Sequence, residues 1–289
     1  MAYLARRSAN FAPLTPLTFL ARASQVFPTY PAIVYDDWKS RLGDTETPAA
    51  VTQSYSETAT RVTQLASALA GAGIQRGDTV AVLSPNTPAF IEAHHAVNAA
   101  GAALNPLNVR VDKSTLAYVL EHCEAKVVLS DTAYAGVMRG ALDELSASRT
   151  RSTPLPIVID IVDPIEVHAA GGEQIGDTTY EALLASGSSS FEWRLPEDEW
   201  ETQAINYTSG TTGRPKGVLY HHRGVRASTL LDGRRRLLLP SALPALGGDA
   251  ALCTSLSITR LAHSVHFDAG RFTCSVSSHV PAGRVECDE

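Results

Sequence analysis

The sequence predicts an α/β fold, a mostly parallel sheet with helices on both faces. Three observations predict it. Over roughly the first two hundred residues, strand-like and helix-like segments alternate. The strand-like segments are continuous apolar runs, which suits strands covered on both sides. Glycine, proline and asparagine punctuate the joins, where turns are needed.

The elements follow in order. Ser54 and Glu57 have capping-box spacing, the serine capping a backbone N–H and the glutamate reaching back. Val62, Leu65, Ala66 and Leu69 then recur at helical spacing, and Gly71 and Gly73 supply the stop. Thr79 to Leu83 reads as a strand closed by Ser84-Pro85-Asn86. Phe90, Ile91, His94 and Val97 predict a second helix. Ala102 to Leu104 predicts a strand ended by Asn105-Pro106. Asp112 caps a third helix carrying Leu116, Val119 and Leu120. Lys126 to Ser130 and Leu155 to Val162 are further strands. Gly171 to Asp177 and Gly187 to Ser190 read as loops, and Glu197, Asp198 and Glu199 as a solvated acidic turn. From Val225 the alternation fades. No lysine follows Lys216, Arg234 to Arg236 form a basic run, and serine, alanine and arginine dominate. That shift sets a boundary, with residues 10–224 on one side. Residues 225–289 are a second domain, a disordered extension or a frameshifted tail; composition leaves all three open.

Composition narrows the function. The 289 residues carry a net charge of -6, with 44% apolar and 19% charged residues. That balance lacks the basic excess of a nucleic-acid binder. No apolar run reaches about 18 residues, so no transmembrane helix is expected. Four cysteines without a C-x-x-C pair suggest neither a disulfide framework nor a zinc site. Cys123 is expected to be a buried thiol. Arg6 and Arg7 ahead of Phe11 to Leu20, with Ala21-Arg22-Ala23 after it, resemble a targeting peptide. Pro13 and Pro16 interrupt that stretch and argue against it. The sequon Asn206-Tyr207-Thr208 matters only if the chain is secreted. His94 and His95 are adjacent, hence on different helix faces, and are expected to be structural. His222 is expected to pack or cap the start of a helix rather than carry protons.

The chemistry concentrates in residues 207–218, Tyr-Thr-Ser-Gly-Thr-Thr-Gly-Arg-Pro-Lys-Gly-Val. Strand-like segments flank it, Gln203 to Tyr207 before and Val218 to Tyr220 after. Gly210, Gly213 and Gly217 let the backbone turn sharply and bring its N–H groups near a ligand. Thr208, Ser209, Thr211 and Thr212 add hydroxyls, Lys216 adds a cation, and Pro215 stiffens the approach to it. Such donors suit a polyphosphate, each hydrogen bond to a charged oxygen contributing about 1.5–3 kcal/mol. The glycine and lysine spacing matches neither a Walker loop nor a Rossmann fingerprint. An ordinary polar turn between strands is the alternative.

This segment resembles the signature loop of the AMP-forming adenylating superfamily, the acyl-activating enzymes that include acyl-CoA synthetases, 4-coumarate–CoA ligases and luciferases. Other stretches of residues 10–224 are similar in the same order. They are Leu14-Thr-Pro-Leu-Thr-Phe-Leu, Gly73-Ile-Gln-Arg-Gly-Asp-Thr-Val-Ala-Val-Leu, Gly101-Ala-Ala-Leu-Asn-Pro-Leu-Asn and Val218-Leu-Tyr-His-His-Arg-Gly. The resemblance implies the N-terminal portion of an adenylate-forming domain. It implies ATP, Mg2+ and coenzyme A as cofactors or co-substrates, and a carboxylic acid, fatty by this analogy, as the other substrate. It implies that Thr208, Ser209, Gly210, Thr211, Thr212, Gly213 and Lys216 hold the β- and γ-phosphates. The activity implied is acid–thiol ligation through an acyl-AMP, in cytoplasm or peroxisome. The family's later segments, a Tyr-Gly-x-Thr-Glu stretch, a ribose-binding aspartate and a catalytic lysine, are not recognised here. No catalytic residue is therefore assigned. A truncated fragment that binds only nucleotide or a partner is the other expectation.

Overall fold

The computed structural model describes residues 7, 9–35, 51–147, 154–163, 172–208 and 214–238, with side chains to Leu230 in the last segment. Its elements alternate as expected. Helix α1 is Leu17–Val26. Strands β1 (Pro31–Tyr35) and β2 (Val51–Ser54) form a separate antiparallel pair. There follow α2 (Tyr55–Gly71), β3 (Thr79–Leu83), α3 (Pro88–Ala99), β4 (Ala103–Pro106), α4 (Lys113–His122), β5 (Ala125–Asp131), α5 (Ala135–Ala147) and β6 (Ile157–Ile161). The series ends with β7 (Thr178–Thr179), α6 (Tyr180–Ser186), β8 (Thr202–Thr208), β9 (Lys216–His221) and α7 (His222–Leu238).

Strands β3 to β9 make one sheet of seven, ordered β7-β6-β5-β3-β4-β8-β9. Every pairing is parallel except β8 with β9. The reason lies in the side chains. Val80 and Val82 face one core with Val127 and Leu129, while Ala81 and Leu83 face another with Val128. Helices α1, α2, α3 and α6 cover the first face, and α4 and α5 cover the second. Strands apolar on both sides need that double cover.

The ends of the helices are chemically specified. Ser54 and Glu57 form the capping box at α2, with Glu57 N–H donating to Ser54 Oγ at 3.2 Å and Ser54 N–H to Glu57 Oε2 at 2.7 Å. At the end of α3, Gly101 takes φ +85°. Its N–H reaches Asn98 O, and Ala102 N–H reaches Val97 O at 3.0 Å, a reverse turn that sends the chain straight into β4. Thr87 caps α3, accepting from Phe90 N–H, and Pro88 fits the first turn. All twelve residues of α3 are buried. Thr87→Ala is accordingly expected to lower unfolding free energy by about 1 kcal/mol, read from urea denaturation. An unchanged midpoint would contradict the capping role.

Two sequence expectations need correction. Asn105 and Pro106 belong to β4 rather than ending it. Leu107 N–H donates to Val82 O at 2.8 Å, so the ladder skips the donor that proline lacks. Glu199 is buried, not solvated. It accepts Leu14 N–H at 3.1 Å and pairs with Arg223, so it joins the chain's beginning to α7. His94 and His95 are both buried on α3, in keeping with the structural role expected of them. Helices α5 and α6 and the β1–β2 pair were not expected from the pattern. The three cysteines Cys253, Cys274 and Cys287 lie outside the described residues. Arg234 to Arg236 fall on α7 beyond its described side chains.

Candidate nucleotide-binding site

The connections out of β3 set the stage. The chain leaves β3 for β4 on one side, then crosses back through α4 to β5 on the other. In such sheets the crevice outside the carboxyl ends of the strands, near this reversal, is where ligands bind. Strand β8 lies parallel beside β4, through Leu104 and Ala204, so its end at Thr208 lies at that same edge.

There the chain reverses. Thr208 pairs with Lys216, Tyr207 with Gly217 and Asn206 with Val218, in antiparallel register. The glycine-rich loop is therefore the connection between β8 and β9, and its two ends are held as neighbours. Of the predicted site residues, Thr208 and Lys216 are described, both exposed at the mouth of the loop. Ser209, Gly210, Thr211, Thr212 and Gly213 lie outside the described residues. Thr208 Oγ1 is at 3.5 Å from Lys216 O. A Cβ at Gly217 would stand 3.4 Å from Ile205 Cγ2 and from the Tyr207 ring, at van der Waals contact.

A face of α4 meets both ends of the loop. The Tyr207 hydroxyl and His122 Nδ1 are hydrogen-bonded at 2.7 Å. The Tyr118 hydroxyl donates to Pro215 O at 3.2 Å, and the Arg214 guanidinium lies 5.2 Å above the Tyr118 ring. Burial raises the Tyr207 pKa above the usual phenol value, with Cys123 and Tyr118 adding to it, so this hydroxyl keeps its proton. Cys123 is buried as expected, and burial pushes its thiol up to about 11. Neither Tyr118 nor His122 was singled out from sequence. Their spacing of four marks one helix face, and nothing in it names the loop as the partner.

The neighbouring histidines play supporting parts. His222 opens α7 and is buried, with its Nδ1 hydrogen-bonded to Thr15 Oγ1 at 3.0 Å. Burial pushes its pKa down to about 4, against a smaller upward pull from Glu201. It is thus a neutral packing residue. Asn206 is buried in mid-strand, which removes it as a glycan acceptor in the folded chain. Among the described residues no group of three or more His, Cys, Asp or Glu side chains is arranged to hold a metal ion. No helix among them is long and apolar enough to cross a membrane.

A mostly parallel seven-stranded sheet covered by helices on both faces defines an α/β protein. The profile of the AMP-binding enzyme family matches residues 20–266. The chain belongs to that family. It is 36% identical over 233 residues to a 2-methylpropanoate–CoA ligase of Humulus lupulus, covering 80% of this chain and 38% of that one. It is 37% identical over 222 residues to a peroxisomal acetate/butyrate–CoA ligase of Arabidopsis thaliana, covering 75% and 36%. The fold matches the long-chain-fatty-acid–CoA ligase FadD1 of Archaeoglobus fulgidus with a TM-score of 0.64, at 20% identity, over 89% of this chain and 48% of that one. The chain thus spans less than half the length of each of these three proteins.

Proposed function

We propose that residues 10–224 are the N-terminal part of the nucleotide-binding domain of an AMP-forming acid–CoA ligase. The loop from Thr208 to Lys216 would hold the β- and γ-phosphates of ATP. The observation that carries this is the position of the loop. Its two ends, Thr208 and Lys216, sit at the carboxyl edge of the parallel strands, in a chain that belongs to the AMP-binding family. Lys216 would offset phosphate charge, and Thr208, Ser209, Gly210, Thr211, Thr212 and Gly213 would donate to the phosphate oxygens. Magnesium would enter with the nucleotide and would supply charge neutralisation at its phosphates.

In the reaction proposed for the whole enzyme, a carboxylate oxygen attacks the α-phosphorus and pyrophosphate leaves. The thiol of coenzyme A then attacks the acyl carbon of the acyl-AMP. AMP leaves, and the thiol proton passes to solvent. The part of the loop is to position and stabilise the departing phosphates. The acid proposed is a small aliphatic one, in line with the acids named for the two ligases above. The compartment proposed is cytoplasm or peroxisome, the second being the one named for the Arabidopsis relative.

Lys216→Ala is the direct test. ATP affinity, measured by calorimetry on the purified chain, is expected to fall about tenfold or more, as for loss of one charge-assisted bond. Equal affinity in the variant and the parent would remove the phosphate role. Acid-dependent ATP–pyrophosphate exchange by the same preparation reports whether this chain alone carries out the first half-reaction.

A further inference from the structure

We infer that one face of α4, through Tyr118 and His122, is a clamp that sets the phosphate affinity of the loop. The inference rests on the phosphate reading above and goes beyond it, to residues outside the loop. The two side chains are four apart and so share a helix face. One is bonded to the residue that leads into the loop and the other to a residue that leads out. His122 holds the Tyr207 hydroxyl at 2.7 Å, and Tyr118 donates to the Pro215 carbonyl at 3.2 Å. The aromatic contacts are continuous. The ring centroids of Tyr118 and His122 are 5.4 Å apart, and those of His122 and Tyr207 are 5.7 Å apart.

Two constraints therefore act on the loop mouth. The strand pair ties Thr208 to Lys216, and α4 ties the flanking residues to the second layer of the core through Leu116, Val119 and Leu120. A strand pair at the edge of a sheet twists readily. A helix packed beneath it does not, so α4 fixes where the hairpin points. Tyr118 does a second job. Its ring lies under Arg214, a cation–π contact that keeps this charge beside the mouth, near Lys216. Tyr118 and His122 are positioning residues, since the ligand contacts belong to the loop.

The test uses Tyr118→Phe, His122→Ala and Lys216→Ala in the full chain, with Tyr207→Phe as a second route to the His122 bond. Dissociation constants are measured for ATP and for inorganic tripolyphosphate, alongside the melting temperature of each unliganded variant. Tyr118→Phe keeps the ring and removes one hydroxyl, and it is expected to weaken both ligands roughly 3- to 10-fold, as for loss of one hydrogen bond. His122→Ala and Tyr207→Phe are expected to weaken them by similar factors. Melting temperatures are expected to stay near that of the parent. If Lys216→Ala weakens binding while the three α4-side variants bind as the parent does, the clamp is overturned and the phosphate reading stands. The clamp is overturned in the same way if these variants only melt earlier, with affinity unchanged. If Lys216→Ala binds like the parent, the phosphate reading fails and the clamp fails with it.

Discussion

Acidification is expected to destabilise this fold from about pH 6.5 downward, before its carboxylates titrate. Three buried histidines are the cause. Burial pushes His94 and His95 down to about 4, and the His94 charge adds to the shift at His95. His222 is likewise pushed down to about 4 by burial. In the unfolded chain each would titrate near 6.5. Above that pH both states hold the neutral ring, and these groups add no pH dependence. Between about 6.5 and 4 the unfolded chain binds protons that the folded chain refuses, so stability falls as pH falls. The slope is about 1.4 kcal/mol per pH unit for each histidine. His94 shows why the folded state resists. Its Nδ1–H donates to Phe90 O at 2.7 Å, and its Nε2 has no partner among the described residues. A second proton there would sit in the core unpaired. Urea unfolding at stepped pH measures the slope, and His94→Gln is expected to lessen it by about one histidine's share. A stability that stays level from pH 7 to 5 would refute the assignment.

Glu92→Ala is expected to cost about 3 kcal/mol, the low end for breaking a buried ion pair. The low end applies because the Arg61 side chain is 25% exposed, whereas that of Glu92 is fully enclosed. Glu92 binds three donors. Arg61 Nε and Nη2 reach it at 2.7 and 3.2 Å, and the Tyr180 hydroxyl reaches it at 2.6 Å. Arg61 also spans to Glu181, at 2.6 and 3.1 Å. One guanidinium thus joins α2, α3 and α6. Burial works against its charge, and hydrogen bonds to Glu181 and Glu92 more than offset that, so its pKa rises. The same enclosure, with Glu92 beside it, drives the Tyr180 pKa well above the phenol range. Removing the carboxylate strands the Tyr180 hydroxyl and leaves Arg61 with Glu181 alone. Glu92→Gln keeps an acceptor and loses the charge, so it should fall between the two. Thermal unfolding is the measure. A variant that melts with the parent would show that Arg61 and Tyr180 find other partners at no cost.

How much of this was legible depends on what each element uses as its signal. Helix α2 announces itself twice, by the Ser54–Glu57 box and by Val62, Leu65 and Leu69 on one face. The strands β3, β5 and β6 carry the continuous apolar runs Val80 to Leu83, Val127 to Leu129 and Ile157 to Ile159, and a doubly covered sheet follows from those. Helix α5 has a buried row in Met138, Ala141 and Leu145, but Gly136 and Gly140 dilute it. Helix α6 has only seven residues, too few for a period to show. Glu199 looked solvated because its partners, Leu14 and Arg223, are distant or unremarkable in sequence. The connection between β8 and β9 could be read as a loop because its glycines, hydroxyls and lysine stand in one stretch between strand-like segments. The face that meets it could not be read, since Tyr118 and His122 lie 97 and 85 residues away from their partners along the chain.

The place of β8 in the sheet has a consequence for assembly. Strands β3 to β6 are joined by single helices, and each new strand lands next to, or one place from, its predecessor. Strand β8 must instead return to β4, joining Leu104 to Ala204 across about a hundred residues of chain. Closing that span carries the larger entropic cost and comes late. As synthesis proceeds, the β3–β6 layer can consolidate while the hairpin is still being made. The hairpin proposed to take the phosphates is thus added to the β3–β6 layer, and the last long-range closure is the one that brings Thr208 and Lys216 to the carboxyl edge of the parallel strands.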